Sequence, residues 1–216
     1  MNIDKIYKYP GMIIYYCFLI FGGILLVLYP KGEWVVLLNG YHTKIGDNFF
    51  KYWTFLGDGI VFALLILFFI FRSYFFTLLT VLSVVIQTIF IQGLKRYVYQ
   101  DIVRPKLFFE NFNNFHMVEG VDIHSFNAFP SGHTASAFTI ALILSLYLKN
   151  KKWSSVFIIV AILVGVSRVY LLQHFFIDVY FGSLLGILSF LIALFILAKS
   201  KFNLLHLQDK SLLSGL

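Results

Sequence analysis

Charge is scarce in this chain: Asp, Glu, Lys and Arg together make up 12% of 216 residues, about half the ~25% of a soluble domain. A globule so poor in charge and 60% hydrophobic could not cover its surface with polar groups, which excludes an ordinary soluble fold. The same richness in apolar residues excludes disorder. Cysteine is nearly absent: Cys17 stands alone, so neither a disulfide framework nor a cysteine zinc site can be built. Four prolines and 15 glycines, with no period, exclude collagen-like repeats. No internal repeat or low-complexity linker interrupts the chain.

What is present is long apolar runs. A helix rises about 1.5 Å per residue, so about 20 residues cross a hydrocarbon core of about 30 Å. Six stretches answer to this, at residues 12–29, 53–71, 74–94, 132–148, 153–172 and 174–198. The prediction is an all-α integral membrane bundle of six transmembrane helices, one membrane-embedded domain over residues 1–216 with a short cytoplasmic tail from about 199. The first run lacks a small-residue cleavage pattern, so it is expected to be a retained span, not a signal peptide. Trp34, Trp53 and Trp153 fall near predicted span ends, where an indole prefers to sit. The net charge of +7 contains no basic tract interleaved with aromatics, so nucleic acid is not an expected partner. Membrane loops facing the cytoplasm collect Lys and Arg instead. The basic residues divide almost evenly between the two faces, and the Lys-rich connector at 149–152 favours cytoplasmic termini. Two long connections, 30–52 and 95–131, then lie on the opposite face.

Ionisable residues in or beside spans are costly and mark function. Here they collect at one face: Lys95 and Arg96 end the third span, Arg104-Pro105 follows, Pro130-Ser131-Gly132-His133 opens the fourth, Ser167-Arg168 closes the fifth, and His174 and Asp178 open the sixth. His174 and Asp178 are four apart and share a helix face. A carboxylate there can hold one ring nitrogen and leave the other aimed outward, as a nucleophilic or basic histidine needs. Arg168 and His174 would diverge on a continuous helix, so a break around residues 171–173 is predicted. Ser131 can cap a helix whose glycine lets backbone N–H groups approach an anion.

These residues resemble the motifs of the type 2 phosphatidic acid phosphatase (PAP2) superfamily: Lys, six residues, Arg-Pro; then Pro-Ser-Gly-His; then Ser-Arg, five residues, His, three residues, Asp. The second motif is intact at Pro130 to His133, and the third at Ser167, Arg168, His174 and Asp178. The first departs from the pattern. Seven positions before Arg104 stands Tyr97, so Lys95 and Arg96 compete for the lysine's role, and an extra turn or bulge after the third span could restore the geometry. The resemblance covers about residues 57–185. It implies a metal-independent phosphatase of the bacterial cytoplasmic (inner) membrane, with its site on the periplasmic or outer face and no cofactor. His174 would attack phosphorus and form a phosphohistidine, Asp178 would orient it, and His133 would protonate the leaving oxygen and then activate water. Lys95 or Arg96, Arg104, Ser131, Gly132 and Arg168 would hold the phosphate oxygens. Phosphoryl transfer needs mainly such positioning and cationic stabilisation.

The implied substrate is a phosphate monoester or pyrophosphate on a lipid: undecaprenyl diphosphate, phosphatidylglycerol phosphate, phosphatidic acid or lipid A. Two alternatives share the fold, a lipid phosphotransferase and a catalytically silent lipid binder or transporter. The soluble vanadium haloperoxidases carry similar motifs, but six apolar spans argue against that reading. Outside the motifs, Asp58 between two glycines reads first as a helix-end residue, and His42 and His206 as surface residues. Glu110, His116, Glu119, Asp122 and His124 follow no metal-ligand spacing. Phe108, Phe109, Phe112, Phe115, Phe126 and Phe129 form either a loop packed on the helix ends or an apolar rim for a lipid substrate.

Overall fold

The computed structural model describes residues 8–109, 111–148, 150–199, 207 and 210–212. Nine α-helices carry them: α1 (Pro10–Leu28), α2 (Glu33–Gly40), α3 (Lys44–Trp53), α4 (Gly59–Ile70), α5 (Tyr74–Gly93), α6 (Pro105–Phe108), α7 (Gly132–Tyr147), α8 (Trp153–Tyr170) and α9 (Phe176–Lys199). No strand occurs among the described residues. Four helices are long and apolar enough to cross a membrane: α1, α5 with its extension to Val98, α8 and α9. A fifth candidate pairs Lys44–Gly57 with Gly59–Ile70, bent by 52° about Asp58, the shape of a broken span or of a re-entrant loop. The remaining stretch, α7, has 16 residues, or about 24 Å of helix. It is apolar but shorter than the other candidates, so length and composition define four spans, or five with the bent pair, of the six expected.

Outward faces remain apolar, with Val27 86%, Ile89 65% and Phe195 62% exposed. A surface this rich in large exposed hydrophobics belongs in lipid. The interior is organised around α7, whose small residues Ala135, Ser136, Ala137, Thr139 and Ala141 are all buried. Gly182 and Gly186, one turn apart on α9, make its contact with α7 possible. A Cβ at Gly182 would lie 2.6 Å from the Ser131 carbonyl oxygen, and one at Gly186 would overlap the Ala135 carbonyl. Two glycines at this spacing let helix backbones touch inside a membrane, where close van der Waals packing drives association.

The ends of the bundle are fixed by polar contacts. Gly11 N–H donates to Ser154 Oγ (3.0 Å), bringing the starts of α1 and α8 together. Tyr74 N–H donates to the Lys210 carbonyl (2.8 Å), so the chain beyond α9 returns to the start of α5. Most of the expected tail lies outside the described residues, as do His206 and Glu110.

The connection over residues 30–52 differs from expectation: it contains α2 and α3. Thr43 caps α3 by accepting from Gly46 N–H (3.0 Å), and Ile45, Phe49 and Trp53 repeat at helical spacing on a short helix with three charges, Lys44, Asp47 and Lys51. That amphipathic pattern is too polar to register as a span. Trp53 closes α3, five residues before the break at Asp58, and donates to the Val160 carbonyl (3.3 Å).

Candidate active site

The third motif is assembled by a chain reversal between α8 and α9. Helix α8 stops at Tyr170, Leu172 takes a left-handed φ of 57°, and the N–H groups of both Gln173 and His174 donate to the Arg168 carbonyl (2.9 and 3.1 Å). A bulky residue in that region is costly, but the turn folds His174 back beside Arg168, as the predicted break requires. Asp178, the third residue of α9, accepts from Phe175 N–H (2.9 Å) through Oδ2, the reciprocal arm of a capping box. The same oxygen faces His174 Nδ1 at 3.3 Å. With Nδ1 held, His174 Nε2 is the free ring nitrogen.

The second motif locks onto the third. Ser131 N–H donates to the Asp178 carbonyl (3.0 Å), which fixes the start of α7 against the first turn of α9. Ser131 caps α7, its Oγ accepting from Thr134 Oγ1 (2.9 Å) and Thr134 N–H (3.4 Å). The N–H groups of Gly132 and His133 stand in the first turn, outside the intrahelical ladder, at the positive end of the helix dipole.

Cations surround the histidine pair. Arg168 is buried and donates from Nη1 to Thr54 Oγ1 (2.8 Å), while its buried Nε has no partner. Arg104 donates to the carbonyls of Phe126 (2.9 Å), Gln173 (3.1 Å) and Asn127 (3.4 Å), and to Gln173 Oε1 (3.0 Å). Gln173 in turn donates to the Asp122 carbonyl, so this guanidinium is anchored by the loop that carries it. After α5 a π-helical turn, Leu94–Val98, inserts extra residues, as π-bulges at functional sites do. Lys95 is half-buried there and within electrostatic reach of Arg104, Asp178 and Arg168. Arg96 is exposed.

His174 lies between two spans and is 2% exposed. Burial pushes its imidazole well below the ordinary histidine range, and Arg104, Arg168, Lys95 and His133 push the same way. Burial also lowers the Arg104 guanidinium, with Asp178 opposing. The nucleophile candidate is thus neutral beside a cluster of positive charge, an arrangement suited to attack on a bound anion.

Sequence reasoning missed several neighbours. Asp58 caps α4 through Ile60 N–H (2.9 Å), the helix-end role expected, but its other oxygen is 3.6 Å from His133 Nε2. Lys31 lies 4.4 Å from the Phe175 ring centroid and lines an apolar cavity of about 460 Å³ with Tyr99, Ile102, Phe129, Asp178 and Phe181. Thr54, Gln173 and Lys31 carry no sequence signal of their own, since each acts through a contact more than fifty residues distant. Among the loop aromatics, Phe108 packs on Phe175 (5.0 Å) and Phe109 on Phe115 (4.7 Å). Phe129 packs on Phe181 at the cavity edge (5.3 Å), and Phe126 is exposed. The loop therefore both packs and rims. His116 pairs with Asp47 (2.8 Å) and stacks on the exposed His42 (3.9 Å). Among the described residues no three His, Cys, Asp or Glu side chains gather as a metal site.

An all-helical membrane protein with phosphate-site motifs at one end of its bundle has known relatives. Residues 76–202 match the sequence profile of the PAP2 superfamily, and the chain belongs to that family. It superposes on the crystal structure of Aquifex aeolicus LpxE with a TM-score of 0.66 at 31% identity, covering 78% of this chain and 98% of that one. The PAP2-type phosphatidylglycerolphosphate phosphatase of Bacillus subtilis gives a TM-score of 0.64 at 26% identity, covering 90% and 99%. A Bacillus licheniformis protein named bacitracin transport permease protein BcrC is 36% identical over 86 residues, 39% of this chain. The matched region spans 41% of the length of that relative.

Proposed function

We propose that this protein is a phosphatase that hydrolyses a phosphate monoester or pyrophosphate on a lipid through a phosphohistidine. The observation that carries the reading is the buried His174–Asp178 pair among Arg104, Arg168 and Lys95. His174 Nε2 attacks phosphorus in line while Asp178 holds Nδ1 and stabilises the charge the ring acquires. Arg168 and Lys95, with the N–H groups of Gly132 and His133, take the equatorial oxygens. Ser131 caps the helix that presents those N–H groups, and Arg104 adds positive charge behind them. His133 gives a proton to the departing oxygen and then takes one from the attacking water. Arg168 Nε, buried without a partner, is the kind of donor a bound phosphate satisfies.

The substrate is a membrane lipid phosphate, supported by the apolar cavity that runs from Asp178 between the ends of α5 and α9. Undecaprenyl diphosphate, phosphatidylglycerol phosphate, phosphatidic acid and lipid A are the classes to test. The mechanism involves no metal ion. The described residues up to about 199 form one membrane-embedded domain in a bacterial inner membrane, with the site at the periplasmic face and the termini in the cytoplasm. The name of the Bacillus licheniformis relative supports a second reading, transport without turnover. Phosphate release from a panel of these lipids by the purified protein in detergent decides between them. Release from one class supports the phosphatase, and inertness on every lipid phosphate supports the transporter.

A further inference from the structure

The break between α3 and α4 reaches the site from outside the three motifs. Its 3₁₀ turn, Thr54–Gly57, presents Thr54 to Arg168 at 2.8 Å. Four residues on, Asp58 Oδ2 stands 3.6 Å from His133 Nε2. Glycine permits this approach: a Cβ at Gly57 would overlap the His133 carbonyl and come within 2.8 Å of Val164 Cγ1. The carboxylate is oriented as well, because its Oδ1 accepts from Ile60 N–H (2.9 Å) and leaves Oδ2 toward the histidine. A cavity of about 170 Å³, bounded by Gly57, Gly59, Gln87, Gln92 and His133, opens at the pair.

The charges facing His133 are Arg168 from α8, Lys95 from the π turn, Arg104 from the loop, and Asp58 as the one anion among them. Neighbouring cations disfavour a protonated imidazole, and a neighbouring carboxylate favours it. A leaving-group acid must carry its proton when the bond breaks.

We propose that Asp58 is the positioning residue of that acid, holding His133 Nε2–H so that Nδ1–H points to the departing oxygen. As the bond from His174 Nε2 to phosphorus forms, the bond to the leaving oxygen breaks and that oxygen takes the Nδ1 proton. When water later attacks the phosphohistidine, its proton returns to His133. Each histidine is then held by its own carboxylate, His174 by Asp178 and His133 by Asp58. The separation of 3.6 Å is compatible with this, since such contacts tighten when substrate binds. The proposal rests on His133 being the acid.

The test uses Asp58→Asn, which keeps the cap acceptor and removes the charge, with Asp58→Ser as a second cap-competent variant. Phosphoenzyme formation by the full chain in detergent is followed with phosphatidic acid, whose alkoxide leaves poorly, and with p-nitrophenyl phosphate, whose phenolate leaves readily. Both variants are expected to lose about 10-fold or more on the lipid and little on the aryl ester, and the alkaline limb of the lipid rate should move to lower pH. Equal losses on both substrates, or an unmoved alkaline limb, would reduce Asp58 to a helix cap. His133→Ala separates the two ideas. If it discriminates between the substrates and the Asp58 variants do not, only the Asp58 proposal fails. If His133→Ala does not discriminate, or wild type is inert on both substrates, the acid role of His133 falls and the proposal with it.

Discussion

At the level of single residues, the chemistry turns on the charge state of His174. Its pKa lies well below 6.5 because burial and three cations oppose a further positive charge. A depressed value means the neutral, nucleophilic form persists as pH falls through the ordinary histidine range. The phenol burst from an aryl phosphate in His133→Ala, where acid catalysis is gone, should therefore stay level through pH 6.5 and fall only well below it. A burst half lost near pH 6.5 would contradict the depressed value. This burial was not legible in the sequence. The spacing of His174 and Asp178 gave their shared face, but the cations around them come from the π turn, the loop and α8, joined only by the fold. Asp58 shows the limit in reverse: two flanking glycines gave its capping role, and its distance to His133 is set by the packing of α7, which starts more than seventy residues further along the chain.

Among the elements, the π turn bears most directly on the mismatch that spacing alone left open. It lengthens the path from α5 to Arg104, brings Lys95 into the charge cluster and leaves Arg96 outside. Loss of one preorganised donor typically costs about 10²–10³-fold in kcat, so Lys95→Ala should fall by that order. Arg96→Ala should stay within a few-fold of wild type, and the reverse ranking would reassign the first motif. The α7–α9 contact makes a second prediction. Gly182→Ala sets a methyl against the Ser131 carbonyl, and overpacking of this kind costs about 1–3 kcal/mol. A lower melting temperature in detergent, together with reduced activity, is expected, because the displaced Ser131 is bonded to Asp178. An unchanged melting temperature would mean that the helices close without the glycine. Helices α1, α5, α8 and α9 were legible because length and hydropathy suffice to define them. Helices α2 and α3 were not, since short amphipathic helices beside a bilayer resemble a polar connection.

At the scale of the whole molecule, the site lies at one end of the bundle, opposite the starts of α1 and α8. Cysteine placed by Asn113→Cys should be labelled by an impermeant reagent in intact cells, and that placed by Asn150→Cys only after the membrane is opened. Both positions are exposed, so the reverse pattern would put the site in the cytoplasm. Turnover should persist in excess chelator, and loss restored by a divalent ion would overturn the histidine mechanism. The most direct measurement is isolation of the covalent intermediate. Enzyme quenched during turnover of a labelled lipid phosphate is digested under alkaline conditions, which preserve a phosphorus–nitrogen bond. The label is expected on the peptide carrying His174, stable to base, lost in acid and absent from His174→Ala. Label on His133, or steady turnover with no labelled histidine, would contradict the assignment of His174 as the nucleophile.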